Sequence, residues 1–183
     1  MRAPRSRWRS CRRTRSWKST GSRLPRSETL GFVGLGVMGA PMAGHLIDLG
    51  RDVMVWNRTP SKAESLREKG AALADSLEEL ASRCSIILIC VSRSEDVEEV
   101  VSEMAGSAAP GTLFVDHSTI EPAVARSISQ TLTNMGLAFM DAPLTGGEKG
   151  AFSGELTIFC GGSQENFDRA EPILAAYGKN VKR

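Results

Sequence analysis

The stretch Leu30-Gly31-Phe32-Val33-Gly34-Leu35-Gly36-Val37-Met38-Gly39-Ala40-Pro41-Met42-Ala43 limits what this chain can fold into more than any other. Its apolar start predicts a short strand, and Gly34, Gly36 and Gly39 form the pattern G-x-G-x-x-G that opens a helix. Each glycine answers a separate steric demand. Gly34 permits a tight turn out of the strand, Gly36 leaves the backbone open to a pyrophosphate, and Gly39 lets the helix lie close on its strand. Leu35, Val37 and Met38 complete the turn and are expected to bind the cofactor with its glycines. The helix N-terminus then offers free N–H groups and a partial positive charge to phosphate. Pro41 is compatible with this, because proline is tolerated in a first helical turn. Glycine turns of this spacing also occur where nothing binds, so the weight rests on the strand and helix around them.

From Leu30 onward, strands and helices alternate. Strands are predicted at Leu30–Gly34, Asp52–Trp56, Ser85–Val91, Thr112–Asp116, Leu137–Asp141 and Glu155–Gly161. Helices are predicted up to Leu49 and at Ser61–Lys69, Ser76–Arg83, Ser94–Met104, Pro122–Asn134 and Ser163–Ala176. Ser76-Leu77-Glu78-Glu79 has the form of a capping box, and Gly50 and Gly70 are helix stops. The continuous run Ser85–Val91 suits a parallel strand covered on both faces. Together these elements predict an α/β fold, a Rossmann-type, doubly wound, mostly parallel sheet built from right-handed β-α-β units. Ala142–Gly150 is expected to be a glycine-rich loop, and the chain from Gly178 to Arg183 a weak extended segment.

Charge separates a leader from a body. Ten of the 23 Lys and Arg fall in residues 1–27, which hold no acid; the other 13 face 21 Asp and Glu, a net of −8. Residues 1–29 cannot build a core and are expected to be a disordered basic leader. Arg- and Ser-rich, acid-poor composition describes an organelle transit peptide, which would place the protein in a mitochondrion or plastid and otherwise leave it cytoplasmic. A basic arm for anionic surfaces and a leader without function are the rival readings. Nothing else in the chain supports nucleic-acid binding, and no apolar run approaches the roughly 20 residues of a membrane helix. Cys11, Cys84, Cys90 and Cys160 have no C-x-x-C or metal-type spacing, so no metal site is expected.

In a doubly wound sheet, ligands meet the carboxyl ends of the strands. After the second predicted strand stand Asn57, Arg58 and Thr59, with no acid for a ribose 2′-hydroxyl. A guanidinium at that point suits a 2′-phosphate, which favours NADP over NAD. Val91 and Ser92 follow the strand Ser85–Val91, near the position of the cofactor riboses. Asp116-His117-Ser118-Thr119 and Asp141-Ala142-Pro143-Leu144-Thr145-Gly146-Gly147 follow the next two. These loops offer hydroxyls and glycine N–H groups, neutral donors suited to a small carboxylate. His45 is expected on the outer side of the first helix, and the His117 side chain is expected to point away from Ser118.

The four stretches, Gly31–Ala43, Trp56–Thr59, Asp116–Thr119 and Asp141–Gly147 continuing through Gly154–Ile158, appear in order at strand ends. Over about Leu30–Val181 the chain resembles the cofactor domain of the β-hydroxyacid dehydrogenase family, which includes 3-hydroxyisobutyrate dehydrogenase and glyoxylate/succinic semialdehyde reductases. The resemblance implies NADP-linked hydride transfer with a small 3-hydroxy acid or semialdehyde. It implies that Ser118, Gly146 and Gly147 contact the substrate carboxylate, with Thr145 in place of a more usual serine. Thr119 would touch the nicotinamide side. The family's general acid/base is a lysine on a later helix, and the resemblance implies a position for it beyond Arg183. Lys149, Lys179 and Lys182 do not match it, so no catalytic residue is assigned within this sequence. By the same resemblance, residues 30–183 are expected to be a dinucleotide-binding domain cut short at its C-terminal end. They would then lack the all-helical domain through which the family oligomerises. The alternatives are a non-catalytic NADP-binding module, an imine reductase-type enzyme, and a relative of 6-phosphogluconate dehydrogenase.

Overall fold

The computed structural model describes residues 28–183, so the expectation of a leader over 1–29 lies almost wholly outside the described residues. Among them, nine strands and seven helices follow in order: β1 Leu30–Val33, α1 Gly39–Asp48, β2 Val53–Trp56, α2 Glu64–Glu68, β3 Ala72–Leu73, α3 Leu77–Arg83, β4 Ile86–Ile89, α4 Ser94–Ala105 and β5 Leu113–Asp116. Then come α5 Pro122–Asn134, β6 Ala138–Asp141, β7 Leu144–Thr145, α6 Gly147–Ser153, β8 Leu156–Phe159, α7 Gln164–Leu174 and β9 Gly178–Lys182. The main sheet is six-stranded, in the order β3-β2-β1-β4-β5-β6, and every pairing in it is parallel. This is the strand order of a doubly wound dinucleotide-binding fold.

The parallel strands carry apolar residues on both faces because helices cover both. Leu30, Phe32, Ile86, Leu88 and Val115 enter one core with α1; Val33, Ile87, Ile89 and Phe114 enter the other with α3, α4 and α5. The period of two along each strand divides the side chains between the layers. Helix α3 begins as the sequence predicts: Ser76 Oγ accepts from the Glu79 N–H at 3.2 Å. The return contact differs by one residue, with Glu79 Oε2 accepting from the Asp75 N–H at 2.8 Å.

Three local expectations are corrected. Residues Pro60–Ala63 form a 3-10 turn, and only Glu64–Glu68 are α-helical, because Pro60 sets a tight start. The segment expected as a glycine-rich loop holds β7 and α6. Its glycines bracket the helix, Gly146 (φ 126°) before it and Gly154 (φ 69°) as its left-handed C-cap. The extended segment from Gly178 is not weak: it is β9, parallel to β8 in a second sheet of order β7-β8-β9. Arg183 then fastens its end, with Nε donating to the Gly162 carbonyl and Nη1 to Gln164 Oε1, both at 3.1 Å. Asp141 and Gly161 exchange backbone bonds of 3.0 and 2.7 Å, joining the two sheets. Among the described residues no helix is long and apolar enough to cross a membrane.

Candidate cofactor site

The strand order reverses direction between β1 and β4, and ligands of doubly wound sheets sit at that crevice. A cleft opens there, lined by Gly34 and Gly36 from the turn after β1, Trp56 at the end of β2 with Asn57 to Thr59 and Lys62 beyond it, and Cys90 to Ser92 after β4. Asp96 and Val100 of α4 close one side. Gly34 (φ 92°) makes the sharp exit from β1. A Cβ on Gly36 would meet nothing within 4 Å, so the backbone there is bare toward the cleft. The Ala40 N–H bonds the Gly36 carbonyl at 3.1 Å, closing the first turn of α1. The N–H groups of Val37, Met38 and Gly39 precede it and have no intrahelical acceptor. These features fit a pyrophosphate: an unobstructed backbone and donors at a helix N-terminus.

Asn57 braces that turn. Its Oδ1 accepts from the Leu35 N–H at 2.8 Å and its Nδ2 donates to the Thr59 carbonyl at 2.9 Å. It therefore ties the glycine turn to the end of β2, and the Leu35 N–H is spent on that tie. Arg58 is exposed, with Nη2 2.7 Å from Glu99 Oε2 and 3.4 Å from Asp96 Oδ1. Asp96 is also forked by Arg93 (3.2 and 3.3 Å), whose bonds hold its carboxyl below the usual carboxylate range. Lys62 lines the same cleft and has no ion pair among the described residues.

Asp116 and Asp141 pair in register at the ends of β5 and β6. The Ala142 N–H donates to the Asp116 carbonyl at 2.7 Å, so the two loops share a root. Asp116 Oδ1 accepts from the Ser118 N–H at 2.9 Å while Oδ2 is buried without a partner. Burial pushes the Asp116 carboxyl up to about 6, and burial also raises Asp141. His117 Nδ1 lies 2.8 Å from the Ala142 carbonyl, which only accepts, so Nδ1 carries the proton. Nε2 then accepts from the Tyr177 hydroxyl at 2.9 Å. Burial holds the His117 imidazole down near 4, so it is neutral at physiological pH. His117 is thus a buried strut between the strand-end loops and the chain entering β9, with both ring nitrogens engaged.

Ser118 is also buried; its Oγ accepts from the Val91 N–H at 3.0 Å, and its hydroxyl is near enough to the Asp116 carboxyl to favour that acid's charged form. That bond joins the β4 and β5 loops. Thr119 is exposed beside it, and Thr145, Gly146 and Gly147 are exposed at the start of α6. Among the described residues no hydrogen bond joins Ser118 or Thr119 to Thr145–Gly147. The structure thus brings Gly34, Gly36, Asn57, Arg58, Thr59, Val91 and Ser92 to one cleft and sets Ser118 against its wall. His45, expected on an outer face, instead turns its Nε2 to the Ala151 carbonyl at 3.0 Å and ties α1 to α6. Burial pushes the thiols of Cys84 and Cys90 up to about 12 and that of Cys160 to about 11, so none is poised as a thiolate. No group of three metal-ligating side chains occurs among the described residues.

Arg183, the residue beyond which the resemblance puts a general acid/base, is itself no part of the site. Its guanidinium is held by Gly162 and Gln164 at the second sheet, away from the residues that line the cleft. Lys179, on β9 itself, is paired with Glu155 at 3.0 Å. Lys179 and Arg183 therefore fasten β9 and its end.

Sequence reasoning missed Lys62, Asp96 and the Tyr177 partner of His117. Lys62 follows Arg58 by four residues, one turn of chain, and that spacing was the available signal. Asp96 and Tyr177 reach their places only through the β-α-β crossovers, for which the sequence carries no local mark.

Residues 29–183 match the family model described as the NAD binding domain of 6-phosphogluconate dehydrogenase. An uncharacterized oxidoreductase of Shewanella frigidimarina is 41% identical over 152 residues, covering 81% of this chain and 52% of the relative. The mitochondrial 3-hydroxyisobutyrate dehydrogenase of Mus musculus is 35% identical over 167 residues, covering 90% of this chain and 49% of the relative. The solved structure of Mycobacterium tuberculosis 3-hydroxyisobutyrate dehydrogenase with L-serine superposes with a TM-score of 0.82 at 31% identity, covering 85% of this chain and 53% of that one. The chain spans about half the length of the curated relatives it matches. With a doubly wound sheet, a glycine turn at its switch point and a match over all the described strands, the chain belongs to the family of the NAD-binding domain of 6-phosphogluconate dehydrogenase and is similar over that domain to 3-hydroxyisobutyrate dehydrogenases.

Proposed function

We propose that residues 30–183 bind NADP in preference to NAD, as the cofactor half of a dehydrogenase for a small 3-hydroxy acid or its semialdehyde. The observation that carries this reading is the switch-point cleft, where bare Gly36 faces two cations, Arg58 and Lys62, and no acid follows β2 directly. In this reading the α1 N-terminus takes the pyrophosphate, Thr59 and the two cations take the 2′-phosphate end, and Val91 and Ser92 flank the ribose. Ser118, Thr145, Gly146 and Gly147 receive the substrate carboxylate, with Thr119 on the nicotinamide side. When bound, the nicotinamide supplies the hydride chemistry. The residues of this chain bind and orient. The substrate class rests on the family resemblance and on relatives named for 3-hydroxyisobutyrate, one of them solved with L-serine. The mitochondrial assignment of the mouse relative and the basic composition of residues 1–27 support the same compartment here.

The test is calorimetric titration with NADP+ and NAD+, followed by turnover of 3-hydroxyisobutyrate with NADP+ and of glyoxylate with NADPH. The reading expects one site, with NADP+ bound more tightly. Failure to bind either dinucleotide overturns it. Binding without turnover keeps the cofactor domain and makes this chain alone a binding module.

A further inference from the structure

The cation assigned to the 2′-phosphate is already occupied by a carboxylate of the chain itself. Arg58 Nη2 lies 2.7 Å from Glu99 Oε2, and both side chains are more than half exposed. Asp96, one turn earlier on α4, is 3.4 Å from Arg58, but its charge is answered by two bonds from Arg93. Glu99 forms no other ion pair among the described residues, although its charge also reaches Arg93. Lys62 stands at the same cleft with no ion pair among those residues.

We infer that Glu99 is a specificity-determining residue: it competes with the 2′-phosphate for Arg58 and thereby narrows the preference between NADP and NAD. The inference rests on the reading of Arg58 as the 2′-phosphate ligand. NAD brings no group that needs Arg58, so the Arg58–Glu99 pair persists in its complex. NADP forms its phosphate contact by drawing the guanidinium off Glu99. Lys62 requires no such exchange, so it sets a floor of NADP preference while Arg58 adds a reduced increment. Exposed ion pairs are worth about 0.2–1 kcal/mol, which converts to roughly a 1.4- to fivefold effect on affinity. Both partners are exposed, so the effect shrinks as salt screens the pair.

The experiment measures the ratio of dissociation constants, NAD+ over NADP+, by calorimetry on the 183-residue chain at low and high NaCl. A ratio cancels losses common to both cofactors, including partial unfolding of a variant. The variants are Arg58→Ala, Glu99→Gln and the double variant. The expected result is a ratio about 1.4- to fivefold higher in Glu99→Gln, lower than wild type in Arg58→Ala, and insensitive to Glu99→Gln once Arg58 is alanine. A ratio unchanged in Glu99→Gln while Arg58→Ala lowers it overturns this inference and leaves the cofactor site standing. An increase that survives in the Arg58→Ala background overturns the exchange. A ratio indifferent to Arg58→Ala overturns both the inference and the placement of the 2′-phosphate.

Discussion

The three glycines of the turn should fail in different ways when replaced by alanine. On Gly34 a Cβ would overlap the Cys90 carbonyl oxygen and sit 2.8 Å from its carbon, at a φ of 92° that L-residues avoid. The backbone of β4 cannot yield without opening the sheet, so overpacking of about 1–3 kcal/mol adds to strain of similar size. On Gly39 a Cβ would overlap the Gly34 carbonyl oxygen and press the Phe32 ring at 3.1 Å, forcing α1 away from β1. On Gly36 it meets nothing within 4 Å, and the φ there is not positive. For a domain of this size, about 4 kcal/mol lowers Tm by roughly 10 °C, which is the expectation for Gly34→Ala, with a comparable loss for Gly39→Ala. Gly36→Ala should leave Tm within about 3 °C of wild type, since a compatible Gly→Ala change is neutral to slightly stabilising. Its methyl, however, occupies the approach of the pyrophosphate. Losing a hydrogen bond to a charged group costs about 1.5–3 kcal/mol, so NADP+ affinity should fall about 10- to 150-fold. Thermal unfolding and calorimetric titration on the same preparations separate the two effects. A Gly36→Ala protein as unstable as Gly39→Ala, or one that binds NADP+ like wild type, refutes the division of roles.

Further predictions concern the buried strut and one cap. Tyr177→Phe leaves His117 Nε2 without its donor and should cost about 1–3 kcal/mol in urea unfolding; a loss under about 0.5 kcal/mol would deny the strut a structural role. His117 titrates near 4 in the fold against an ordinary value of 6.5, so its stabilisation is complete above about pH 6.5 and is lost as pH falls through 4, by about 3 kcal/mol. Asp116 acts oppositely: its folded-state value near 6 makes its contribution greatest below pH 4 and lost as pH rises through 6. Asp116→Asn should therefore gain stability relative to wild type progressively from pH 4 to 6 and hold that gain above, and a gain confined to acid would contradict the assignment. Ser76→Ala, which removes the acceptor for the Glu79 N–H, should cost α3 about 1 kcal/mol in the same unfolding assay.

The fold was legible where local rules agree with the final structure. The apolar run over β4, the glycine turn after β1 and the Ser76 cap each carry their signal within a few residues. The parallel sheet from β1 to β6 followed from alternation alone, except β3. That strand is two residues long with Ala72 exposed, so it carries neither length nor periodicity to announce it. Helix α6 was hidden for another reason: Gly146, Gly147, Gly150 and Gly154 are poor helix formers, and packing of Gly150 and Ala151 against Leu156 overrides their propensity. At the site, Asn57, Arg58 and Thr59 could be placed from the end of β2, but their partners could not. That Asn57 braces Leu35 and that Arg58 meets Glu99 depend on neighbours 22 and 41 residues away. Likewise, the sequence could place Ser118 at a strand end but not show that its hydroxyl braces Val91. The anchoring of Arg183 on Gly162 and Gln164 is equally non-local, at 21 and 19 residues, and a polar run such as Gly178–Arg183 carries no local strand signal.

The central claim, that this chain holds a dinucleotide at its switch-point cleft, is tested most directly by amide NMR during an NADP+ titration. The account predicts saturable shifts centred on Gly34–Gly39, Asn57–Lys62 and Val91–Ser92, with the groove between α4 and α5 around Val101 and Thr131 undisturbed. No shift at saturating NADP+, or shifts centred on that groove with the glycine turn silent, would contradict it.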